Sequence, residues 1–150
     1  MSKLEDLYQE MVIEHYSKPR NFRKLEEANR VAQGNNPFCG DKIILYLQVE
    51  NDVISDVSFQ GSGCAISRAS TSMMTESIKG KSSAEAKDIF EDFHQMLTRG
   101  TDGEFDSERL GDLELLAGVS EFPTRIKCAI LSWHTLKAAL KGQEGTVKTE

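Results

Sequence analysis

At 150 residues the chain has the length of one domain, spanning 1–150, and is large enough to bury a core without needing a disulfide or a metal to fold. A net charge of −6 and no dense basic stripe argue against nucleic acid as a partner, because little is available to neutralise phosphates. The opening MSKLEDLYQE has charges where a secretory signal needs an apolar core, and no run approaches the ~18–20 apolar residues of a membrane span, so the expected setting is the cytoplasm, with no membrane partner.

The first element is an amphipathic helix, with Leu4, Leu7, Tyr8, Met11 and His15 at spacings of three and four, ending near Pro19. The segment RVAQGNNPF supplies an extended piece near residue 31. From Lys42 the period switches to two, and after the dipeptide Asn51-Asp52 a second alternating run follows, which together read as an antiparallel hairpin. A helix then carries Ile66, Ala69, Met73 and Met74 on one face and closes at Lys79 and Gly80. Ser82 and Glu85 have capping-box spacing ahead of a helix with the stripe Ile89, Phe90, Phe93 and Leu97. RGTDGEFDSE reads as a solvated loop, followed by a short helix in RLGDLELLAG. Pro123 opens a long last helix to about residue 141, and 142–150 read as a frayed tail. The order predicts an α+β domain: a small three-stranded antiparallel sheet with helices packed on one face.

Three cysteines occur in unusual settings: Cys39 in NNPFCGDKI, Cys64 in QGSGCAIS and Cys128 in FPTRIKCAIL. Reduced cytosolic thiols point to metal binding or thiol chemistry rather than disulfides. Gly40, by taking positive φ, turns Cys39 and Asp41 toward one point. In a hairpin, the start of one strand lies beside the end of its partner, which brings Cys39 and Asp41 next to Cys64. On the last helix Ile126, Ala129, Ile130, Trp133, Leu136 and Leu140 form one apolar arc, and at ~100° per residue Cys128 falls roughly 130° from its centre. That position favours a site over plain core packing.

Three thiolates and a carboxylate suit zinc or iron-sulfur chemistry, and Asp41 makes a harder, more exchangeable ligand than a fourth thiolate. Arg125 and Lys127, flanking Cys128, either offset the negative charge of such a centre or are plain solvated charges. His15 reads as a packed, hydrogen-bonded histidine rather than a ligand, His94 and His134 as solvent-exposed, and Met73 and Met74 as core. The acidic GTDGEFDSE loop lacks the spacing of a calcium loop.

The motifs NPFCGD, GSGCAIS and KCAIL, with EHYSKPRN near the start, resemble those of the U-type iron-sulfur assembly family, the IscU-like scaffolds related to the N-terminal part of NifU. The usual scaffold has a histidine just before its third cysteine and a Leu-Pro-Pro-Val-Lys chaperone motif upstream, where this chain has Lys127 and EFPTRIK. The interval from Cys64 to Cys128 is also longer, through an insertion at about 85–112. These departures resemble the SufU branch. The resemblance implies an IscU-like fold and a Zn2+ ion held by Cys39, Asp41, Cys64 and Cys128. It further implies persulfide sulfur accepted from a PLP-dependent, SufS-like cysteine desulfurase and passed to a downstream iron-sulfur assembly protein or apoprotein acceptor. Cys39 matches the family's sulfur acceptor, and it is also the thiol on a glycine-hinged loop, while the other two are held by helices. The implied activity is that of a zinc-dependent sulfurtransferase. The alternative is a scaffold holding a transient [2Fe-2S] cluster, for which a carboxylate ligand favours release.

Overall fold

A computed structural model of the chain describes residues 10–37, 40–99, 104–142 and 146–148. Leu4, Leu7, Tyr8 and Cys39 lie outside the described residues. In chain order the elements are α1 (Glu10–Ser17), β1 (Arg30–Asn36), β2 (Asp41–Glu50), β3 (Val53–Ser62), α2 (Ala65–Ile78), α3 (Ser83–Arg99), α4 (Ser107–Leu110), a run of 3-10 turns over Gly111–Glu121, α5 (Pro123–Leu140) and β4 (Thr146–Lys148). No described helix is long and apolar enough to cross a membrane.

The expected antiparallel sheet is present, with β2 between β3 and β1. Asn51 and Asp52 both take positive φ, 52° and 64°, the type I′ geometry whose twist matches that of the flanking strands. β1, anticipated near residue 31, pairs along its whole length with β2, from Arg30 opposite Leu47 to Asn36 opposite Asp41. The expected frayed tail instead supplies β4, which pairs in parallel with β1 through Gln33, Gly34 and Asn35. It covers backbone groups that an open edge would leave unpaired.

Pleating puts Asn36, Gly34 and Ala32 of β1 on one face with Asp41, Ile43, Leu45 and Leu47 of β2. Helix α5 lies against β1 and β2, and α2 against β3 and α5. Beneath them Leu45, Leu47, Val57 and Phe59 are buried, while Val31 on the opposite face is 47% exposed.

Local sequence explains the helix limits. Ser82 and Glu85 form the anticipated capping box, the Ser82 N–H donating to Glu85 Oε1 at 3.0 Å and the Glu85 N–H to Ser82 Oγ at 3.1 Å. Pro123 occupies the first turn of α5. The loop read in RGTDGEFDSE is shorter than expected: Asp106 accepts the Arg109 N–H at 3.1 Å and starts α4. Arg109 pairs with the nearly buried Asp92 of α3, tying α4 back to it. The short helix expected after it is wound as 3-10 turns that bury Leu113, Leu116 and Val119.

His15 is buried, as expected of a packed histidine, with Nδ1 2.7 Å from Ser72 Oγ and Nε2 3.4 Å from Glu76 Oε1. Met73 and Met74 are core. His94 and His134 differ from expectation: both are half-buried, edge-on to the Phe90 ring at centroid distances of 6.1 and 5.4 Å. Phe90 fills the seam between α3 and α5, so side chains at the shoulder of either helix's stripe are drawn into it.

Candidate metal centre

Asp41 is the first residue of β2 and faces inward, so a carboxylate is carried to the end of the apolar face and fully buried. Cys64 is the N-cap of α2, its sulfur accepting the Ser67 N–H at 3.5 Å. Cys128 lies in the second turn of α5 and is 1% exposed. The Asp41 oxygen and the two sulfurs all lie within 4.8 Å of one another. A tetrahedral zinc with bonds of about 2.0–2.3 Å spaces its donors roughly 3.3–3.8 Å apart, so small adjustments bring this set to that geometry.

Lying off the apolar arc does not set Cys128 apart from the core, contrary to expectation, even though its sulfur joins the cluster. Helix α5 buries Cys128, Leu131, Ser132 and Thr135 as well as Ala129, Ile130, Trp133 and Leu136. With β1, α2 and the 3-10 turns all against it, a residue off the apolar arc is still in the core. What distinguishes Cys128 is its neighbours. Arg125 is exposed and Lys127 half-buried, both in the first turns of α5.

Two neutral donors hold the Asp41 carboxylate. The Cys64 backbone N–H reaches Oδ1 at 2.9 Å and the Asn36 amide reaches Oδ2 at 3.3 Å. Each oxygen keeps lone-pair capacity for a cation, and a buried anion held by neutral donors gains most from one. Gly63 leaves room for this, since a Cβ there would stand 2.6 Å from Asp41 Oδ1. Gly40 has the anticipated positive φ, +71°.

The Cys64 thiol is pulled down to about 6, chiefly by a hydrogen bond from the Cys128 thiol, with help from the Ser67 and Ile66 N–H groups; burial and the Asp41 charge oppose the shift. A thiol so placed readily gives the thiolate a soft metal requires.

Asn36 is the residue that sequence reasoning missed. It is fully buried, and its amide also lies 3.7 Å from Cys128 Sγ. The signal was an asparagine in strand register with Ala32 and Gly34 on the core face.

The NifU-like N terminal domain model matches residues 7–129. The chain belongs to that family. It is 44% identical over 144 residues to the zinc-dependent sulfurtransferase SufU of Bacillus subtilis, covering 96% of each chain. It is 45% identical over 141 residues to the iron-sulfur cluster assembly scaffold protein IscU of Streptococcus pyogenes serotype M1, covering 94% of this chain and 87% of that one. A crystal structure from Fervidobacterium islandicum AW-1, described as an iron-sulfur cluster assembly scaffold protein for the SUF system, superposes with a TM-score of 0.84 at 38% identity, covering 89% of this chain and 96% of that one. The N-terminal part of a NifU-like protein from Brucella abortus shares the family fold at a TM-score of 0.85 and 21% identity, covering 94% and 96%.

Proposed function

We propose that the chain is a zinc-dependent sulfur acceptor in iron-sulfur cluster assembly, taking persulfide sulfur from a PLP-dependent, SufS-like cysteine desulfurase in the cytoplasm and passing it to a downstream assembly protein. The observation that carries this reading is the convergence of buried Asp41 and Cys128 with half-buried Cys64, in a chain 44% identical to a zinc-dependent sulfurtransferase over 96% of both lengths.

In this reading Asp41, Cys64, Cys128 and Cys39 hold the ion, which when bound keeps its thiolate ligands deprotonated at neutral pH. Cys64 and Cys128 are anchored in α2 and α5, so they are the retained ligands. Cys39 supplies the nucleophile: its thiolate attacks the sulfane sulfur of the desulfurase persulfide, the donor S–S bond breaks, and the desulfurase cysteine leaves as a thiolate. The sulfane sulfur then resides on Cys39 as a persulfide, with no net oxidant or reductant. Arg125 and Lys127 at the start of α5 offset negative charge around the centre.

The scaffold reading is favoured by the 45% identity to an IscU scaffold protein and by the scaffold description of the Fervidobacterium islandicum structure. Metal and sulfide content after aerobic and anaerobic purification, paired with desulfurase turnover, separates the two. One zinc per chain and a rise in turnover that Cys39→Ala abolishes supports the acceptor. Equal iron and sulfide, transferable to an apoprotein, with little change in turnover establishes the scaffold.

A further inference from the structure

Asn36 and Asp41 face each other at the last pairing position of the β1–β2 hairpin, the two ends of the loop that carries Cys39. The Asn36 side chain bridges this base to α5, its amide 3.3 Å from Asp41 Oδ2 and 3.7 Å from Cys128 Sγ. One buried amide therefore ties together β1, β2 and α5. We propose that Asn36 is a positioning residue of the metal centre, holding Asp41 and Cys128 in ligating geometry so that the ion is retained while Cys39 is engaged elsewhere. This rests on the zinc-acceptor reading above.

An amide donor on a carboxylate ligand fixes its rotamer and leaves its other lone pairs directed at the ion, and outer-shell partners of this kind are worth about 10–100-fold in metal affinity. An N–H aimed at sulfur draws electron density from a thiolate and lowers its nucleophilicity, which suits a ligand that stays rather than one that accepts sulfur. Cys64 receives the equivalent contact from the Ser67 N–H at 3.5 Å. The retained sulfurs are thus marked by donors from fixed elements.

The test is zinc release to a chromophoric chelator, with the spectrum of the cobalt(II)-substituted protein, for the parent chain and for Asn36→Ala and Asn36→Leu. Leucine keeps the branched outline, at a larger volume, but cannot donate, so it leaves no cavity to collapse and, beside the alanine variant, separates loss of the donor from loss of bulk. Both variants are expected to release zinc about 10–100-fold faster. They are also expected to shift the thiolate-to-cobalt charge-transfer bands, with a larger effect when Cys39→Ala is already present. Unchanged release and bands in a folded Asn36→Leu overturn the proposal, as does equal destabilisation of metal-free and metal-bound forms without faster release. A parent chain that binds no zinc defeats the underlying reading instead.

Discussion

The carboxylate of Asp41 accepts the backbone N–H of Cys64 at 2.9 Å, so the first residue of β2 and the cap of α2 are fixed to each other before any metal is considered. Gly63 makes this possible, because a Cβ at that position would stand 2.6 Å from Asp41 Oδ1 and 3.2 Å from its Cγ. Gly63→Ala should therefore push the carboxylate or the Cys64 amide aside. We expect roughly 1–3 kcal/mol of lost stability from overpacking. Metal affinity should fall about 10–100-fold, as for other disturbed ligand supports. Isothermal titration with zinc checks it; an unaltered affinity would show that the Asp41–Cys64 contact does not govern the site.

Asp41→Ala separates the cost of a buried anion from its value as a ligand. Without metal, the variant loses a desolvated charge but leaves the Cys64 N–H unpaired, at about 1–3 kcal/mol. These effects oppose each other, so metal-free stability should change by less than about 2 kcal/mol. Metal release should accelerate by at least about tenfold, because even indirect supports of a ligand are worth that much. Denaturation of the metal-free protein and a chelator assay of the loaded one give the two numbers; a slow, unchanged off-rate removes Asp41 from the ligand set.

The approach of Asp41 to Cys64 was legible in the sequence because topology alone places a strand start beside a strand end, and residue type restricts what such a cluster can hold; Cys128 was singled out by its motif, since its position off the apolar arc does not separate it from a helix buried on several sides. The β2–β3 hairpin was legible for a similar local reason, an Asn-Asp pair able to take positive φ between alternating runs. Asn36 was not, because its importance depends on β1 pairing in register with β2, and RVAQGNNPF carries too few β-branched residues to declare a strand by itself. The half-buried state of His94 and His134 was hidden for the opposite reason: each lies off its own helix's stripe, and only the packing of α3 on α5 around Phe90 covers them. β4 was illegible because three residues at a sheet edge gain their order from β1, not from their own composition.

Ser82 provides a control that touches no ligand. Its hydroxyl accepts the Glu85 N–H at 3.1 Å at the start of α3, which carries none of the cluster. Ser82→Ala should cost about 1 kcal/mol, the usual value of an N-cap, and leave zinc release unchanged. A chemical denaturation midpoint shift with constant release is the expected pair. Faster release would mean that α3 couples to the centre through the core.

His15 sets an acid limit on the fold. Burial holds its pKa below the ordinary 6.5, the Arg20 charge adds to this, and Glu76, Glu14 and Asp112 oppose it. Its Nδ1 is committed to Ser72 Oγ at 2.7 Å, on the helix that Cys64 caps, so a second ring proton must be accommodated against that packing. A histidine whose folded pKa is depressed binds more protons when unfolded, so its stabilising contribution is complete above about 6.5 and falls as the pH drops below that value. His134 is lowered too, by burial first and then by His94 and Lys137, and adds to the slope with the same sign. Urea midpoints of metal-free protein at pH 7.5, 6.5 and 5.5 should therefore decline toward acid, and His15→Gln should decline less steeply over the same interval. The difference between the two slopes isolates His15 from the thiols and from His134. Parallel slopes would show that the buried imidazole is protonated as easily in the fold as out of it.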